Sequence, residues 1–130
     1  AIKTAISATM NSTKDYINRT EALRLAGTSY WLLGRPRKAL KIWKQSIDTG
    51  KLLNARLELS RTYFEAGKRI LMSLRNDGNA AKRTIADMKK IIGLTPEECL
   101  EQAEKMFLEM ELRWDLEELR KVRDIIEINL

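Results

Sequence analysis

Apolar residues recur along this chain three and four positions apart, the spacing of a helix face, and no segment alternates at the period of two that marks a strand. Leu23, Ala26, Gly27, Tyr30 and Trp31 share one face of a helix predicted over 20–33. Gly34-Arg35-Pro36 ends it, because Gly34 takes left-handed backbone without strain and Pro36 suits a first helical turn. A second helix is predicted over 37–49, with Ala39, Leu40, Trp43, Ser46 and Ile47 inward and Gly50 as its stop. A third, over 52–74, carries Leu59, Tyr63, Phe64, Ile70 and Leu71. Arg75-Asn76-Asp77-Gly78-Asn79 reads as a loop. A short helix follows over 80–92, with a weak stripe of Ile85, Met88 and Ile92. Thr95-Pro96-Glu97-Glu98 combines an N-cap, a first-turn proline and two carboxylates that complement the helix dipole. The helix they start, over 96–112, turns Leu100, Ala103, Phe107 and Met110 inward; a last one over 115–128 carries Leu116, Leu119, Val122 and Ile126. Ile2, Ala5, Ile6 and Met10 suggest a short leading helix. The expected fold class is all-α.

Composition narrows the function. The 130 residues suit one domain, and 44% hydrophobic with 32% charged residues is the make-up of a globular chain. With no histidine, the commonest general base, the Ser-His and Cys-His pairs and the usual zinc set are missing. Six dispersed glycines make no phosphate loop. No enzyme, cofactor or metal is therefore expected. The single cysteine, Cys99, allows no internal disulfide, suits a reducing cytoplasm and reads as a buried small side chain. No apolar run approaches the roughly 18 residues of a membrane span. The chain opens on Ala1 rather than Met, which suggests a piece of a longer polypeptide.

A longer period is also present: Tyr30 and Gly34 recur as Tyr63 and Gly67, 33 positions on. The segment 20–53 resembles one tetratricopeptide repeat. Leu23 stands for the usual first Trp, Ala26 and Gly27 for Leu-Gly, and Tyr30 for the following aromatic. Gly34 sits at the turn, Ala39 and Leu40 at the close-packing point, Trp43 and Ser46 on the second helix, while Lys51 replaces the closing Pro. A second repeat over 53–112 has Leu59, Ser60, Tyr63 and Gly67 in register. Its second-helix pattern appears only at Ala103, Phe107 and Met110, after an insertion of roughly 25 residues. The segment 115–129 is expected to cap the stack. Ala22-Leu23-Arg24-Leu25, Tyr30-Trp31-Leu32-Leu33-Gly34, Leu59-Ser60-Arg61-Thr62-Tyr63-Phe64-Glu65 and Trp114-Asp115-Leu116 are also similar to the C-terminal repeat region of large bacterial signalling proteins. Those proteins join a class III adenylate or guanylate cyclase, or a kinase-like domain, to an ATPase module.

The resemblance implies a right-handed superhelical stack of antiparallel helix pairs and a regulatory, non-catalytic scaffold. Its partners would be a protein or peptide, or other domains of the same polypeptide; a second copy of the chain is a further partner, suggested by charge rather than by the resemblance. The partner groove would present Arg24, Thr28 and Trp31 from one first helix and Leu57, Arg61 and Phe64 from the next. The arginines would grip a carboxylate and the aromatics supply apolar contact. The plain alternative is a surface salt bridge for each arginine and helix packing for each aromatic. Charge adds another reading. Residues 1–95 hold 19 basic against 7 acidic side chains, and 96–130 hold 5 against 11, so +12 and −6 sum to the net +6. The cluster Arg35, Arg37, Lys38, Lys41 and Lys44 makes a basic nucleic-acid-binding module the alternative function, though no recognised nucleic-acid motif accompanies it.

Overall fold

The computed structural model describes residues 16–128, and the leading helix suggested by Ile2 to Met10 lies outside them. Among the described residues there are six α-helices and no strand. They are α1 (Tyr16–Leu32), α2 (Pro36–Leu52), α3 (Arg56–Ser73), α4 (Gly78–Ile91), α5 (Pro96–Glu109) and α6 (Arg113–Ile128). The fold is all-α. No helix is long and apolar enough to cross a membrane among these residues.

Two intimate pairs organise the helices: α1 with α2, and α3 with α5. The second pair is not consecutive in sequence, because α4 intervenes and rests on α2 and α3. Helix α3 also touches α1 and α6, so α1, α3 and α6 make a continuous layer of contacting helices, with α6 resting on α5 as well. Both pairs close around large buried side chains. Trp43 and Leu40 of α2 and Phe107 of α5 are wholly buried, as are Ile70 of α3 and Met88 of α4.

Close approach within each pair depends on a helical glycine. A β-carbon at Gly27 would lie 2.4 Å from Trp43 Cδ1, so the indole lies directly against the backbone of α1. From there Trp43 Nε1 donates to the Arg24 carbonyl at 3.2 Å. A β-carbon at Gly67 would lie 2.8 Å from the Pro96 carbonyl oxygen. Cys99 sits at the same contact, fully buried as the sequence suggested, and burial pushes its thiol up to about 12. A polar clasp joins the three central helices. Ser46 Oγ donates to the Thr20 carbonyl at 2.8 Å and lies 2.9 Å from Thr62 Oγ1.

The turns that end α1, α2 and α5 share one geometry, and only the first carries a glycine. Gly34, Asn54 and Glu111 have φ of 76°, 52° and 56°. The next residue's amide reaches back five positions each time: Arg35 to Tyr30 at 3.0 Å, Ala55 to Gly50 at 2.9 Å and Leu112 to Phe107 at 2.9 Å. This closes the free carbonyls of the helix end. A new helix starts two residues after each left-handed position. Exposed Glu111 bears the β-carbon cost of that conformation. Glu111→Gly is accordingly expected to raise stability by about 0.5–1 kcal/mol, read as a higher urea midpoint at unchanged slope.

The structure corrects several expectations from sequence. Gly50 does not stop α2; it is buried, and a β-carbon there would crowd Leu59 Cβ at 3.1 Å and Thr20 Cγ2 at 3.2 Å. The break comes at Asn54, so the predicted 52–74 helix begins only at Arg56. Asp77 is not mid-loop but the N-cap of α4, accepting from the Asn79 and Ala80 amides. The 33-residue spacing joins two buried tyrosines but unlike glycines, since Gly34 makes a turn and Gly67 lies inside α3. Thr95 does cap α5, with Glu98 completing a reciprocal capping box.

Candidate functional site

Positions four and seven apart on α1 place Arg24, Thr28 and Trp31 along the α1–α3–α6 layer, and α3 contributes Leu57, Arg61 and Phe64. Arg24 and Arg61 are both engaged internally. Arg24 Nη2 lies 3.0 Å from Glu58 Oε2, an ion pair across α1 and α3 in which both side chains are largely buried. Arg61 makes a two-pronged contact with buried Asp115 at the start of α6, Nε to Oδ1 at 2.9 Å and Nη2 to Oδ2 at 3.3 Å. Thr28 Oγ1 donates to Glu65 Oε2 at 2.9 Å. Sequence reasoning gave a site role to none of the three carboxylates, Glu58, Glu65 and Asp115, although Glu65 and Asp115 stand in the strings that carry the resemblance. Glu58 and Glu65 stand three before and four after Arg61, a spacing that could have flagged them.

The aromatics divide between packing and exposure. Phe64 sits edge-on against Phe107, ring centres 5.9 Å apart, with the Lys68 ammonium 5.1 Å from its own. Trp31 leans on Trp43 at 5.8 Å but is only half-buried, and Leu57 is partly exposed. Beyond Trp31 the layer opens into a trough of about 510 Å³ between α3 and α6. Met72 and Val122 form part of its lining, with Lys68, Arg69, Arg75 and Lys121 as its cations. A second hollow of about 270 Å³ meets it at Trp31, Ser73 and Asn76 and runs under α4.

Charge around the trough is partly balanced from within. Glu65 holds Arg69 at 3.0 Å and Lys68 at 3.2 Å, and Glu118 holds Lys121 at 3.0 Å. Burial alone would raise the Glu65 carboxyl. The charges of Lys68 and Arg69 and the hydrogen bonds from Thr28 and Arg69 outweigh it, leaving the group below its ordinary 4.5. A carboxyl lowered on folding stabilises above its unfolded value and loses that contribution as pH falls through the folded one. Stability is thus expected to decline on acidification below about 4.5. Glu65→Gln should flatten that limb in urea titrations run across acidic pH.

Two of the five cations in the basic cluster around the start of α2 meet carboxylates. Arg37 Nη1 reaches Asp87 Oδ1 of α4 at 3.3 Å, and Lys44 pairs with Asp48 at 3.0 Å. Arg35 and Lys38 lie 5.5 and 5.7 Å from the Tyr30 ring centre. Lys41 is exposed, and with Arg35, Arg37 and Lys38 it borders a shallow hollow. The opposite charges of the two chain halves meet within the molecule through Arg56–Glu109, Arg61–Asp115 and Lys89–Glu98. Among the described residues no three metal-ligating side chains gather. No family model matches the chain, and no curated protein or solved structure shows significant similarity to it.

Proposed function

We propose that the chain is a non-catalytic interaction scaffold of the tetratricopeptide type, which binds a protein segment along the α1–α3–α6 layer. The trough beside half-buried Trp31 carries this reading, because it joins an apolar lining to cations on one continuous surface. Further support comes from the α1–α2 and α3–α5 pairs, which would be successive repeats with α4 inserted in the second and α6 as cap. The resemblance of the Tyr30–Gly34 and Leu59–Glu65 segments to bacterial signalling proteins favours a regulatory place within a larger polypeptide, with its other domains among the partners. A cytoplasmic setting goes with that reading.

Random peptides displayed on phage and selected against the isotope-labelled protein test it. Selected peptides should shift the resonances of Trp31, Met72 and Val122 and leave those of Lys105, on α5, in place. Failure to enrich any peptide, or shifts confined to α2 with steeply salt-dependent binding of a single-stranded oligonucleotide, would overturn the scaffold reading. The second of those results would install the nucleic-acid alternative.

A further inference from the structure

We propose that α4 and Trp31 together build an anchor slot for one bulky apolar side chain of an acidic peptide, whose carboxylates continue across the adjoining trough. The inference rests on the interaction reading above. Its first observation is the slot. Trp31, Gly34 and Pro36 form one side and Ala80, Ala81 and Thr84 of α4 the other, around about 270 Å³. Small side chains at 80 and 81 leave that volume open, and the contact of Trp31 with Trp43 fixes its wall. Its lining also includes Ser73, Asn76 and Asp77, whose carboxylate is engaged by the Asn79 and Ala80 amides at the start of α4. Such a lining suits an apolar side chain with the peptide backbone at the rim.

The second observation is the charge of the trough. Lys68, Arg69, Arg75 and Lys121 face two carboxylates, Glu65 and Glu118, which leaves two positive charges in surplus. Because the slot and trough share Trp31, Ser73 and Asn76, an extended chain anchored in the first passes directly into the second. An acidic peptide satisfies both at once. A uniform polyanion would use only the cations and leave the slot empty.

The test repeats the phage selection on three proteins and sequences the outputs. Wild type should enrich peptides in which one Leu, Phe or Trp adjoins several Asp or Glu. Ala80→Tyr fills the slot from a helical position whose backbone accepts an aromatic side chain. It should keep the acidic bias, lose the apolar residue and weaken a wild-type-selected peptide at least about tenfold. Arg75→Glu with Lys121→Glu should keep the apolar residue and lose the acidic bias. Thermal melts confirm that each variant is folded. If Ala80→Tyr selects the same peptides as wild type, the anchor inference fails while the scaffold reading stands. Basic or uncharged peptides from wild type would overturn the acidic assignment. No enrichment from wild type would end both. A dimer on gel filtration that Arg75→Glu with Lys121→Glu dissolves would place a second copy of the chain in the trough and overturn the peptide inference alone.

Discussion

Gly27→Val is expected to cost about 2–3 kcal/mol in the wild-type chain and under about 1 kcal/mol in a Trp43→Leu background. The reason is geometric. Even one added carbon at position 27 would lie 2.4 Å from the indole, and a ring buried on all sides has nowhere to swing. Trp43→Leu alone should cost about 3 kcal/mol, since it empties volume at the centre of the α1–α2 pair and strands no buried donor of its own. The double mutant then recovers part of the loss, because the methyl groups introduced at position 27 enter the space the indole vacates. Urea unfolding of the four proteins measures the coupling. Strict additivity would show that the cost of a side chain at position 27 does not come from the indole.

The second large effect concerns how α6 is held. Arg61→Met should destabilise by about 3–4 kcal/mol, and Asp115→Asn by only about 1–2 kcal/mol. The Asp115 side chain is 5% exposed, and that of Arg61 is 33%. Removing the arginine leaves a buried carboxylate with no cation, whereas removing the carboxylate's charge leaves a guanidinium that water can still reach. Replacing both, as Arg61→Met with Asp115→Leu, should recover most of the loss. Amide exchange in α6 under native conditions reads the same ordering. Equal costs for the two single variants would mean that the pair is effectively solvated.

This pair also explains which part of the site was readable beforehand. Arg24, Arg61, Trp31 and Phe64 stand out in the sequence because their residue types are ones that recognise ligands. What they face is a matter of tertiary contact: Asp115 lies 54 positions from Arg61, beyond any local pattern. Trp31 alone among them borders both hollows, because it stands at the end of α1 where the trough and the space under α4 meet. The helices themselves were more accessible. The stripes of Leu23 to Tyr30, Ala39 to Ile47 and Leu100 to Phe107 are buried as their period requires, and Thr95 caps as its chemistry dictates. Helix ends were legible only where glycine or proline marks them. Glu111 adopts the same left-handed turn as Gly34 with a side chain that does not announce it; Asn54 is of a type that tolerates the turn, but the neighbouring Gly50 misleads because its small size serves packing inside a helix.

The separation of α3 from α5 along the chain has a consequence in time. Helices α1 and α2 are joined by three residues and can meet as soon as both exist. Helix α3 must wait for a mate beyond the 74–95 stretch, and closing that longer loop costs about 2 kcal/mol more than closing a short turn. During synthesis the α3 face that carries Phe64 and Gly67 therefore stands uncovered until Cys99, Leu100 and Phe107 have emerged, an interval on the order of seconds. The newborn chain is most vulnerable to aggregation and proteases in that interval, and the contact of α4 with α2 and α3 shortens the distance between α3 and α5 that the chain must span.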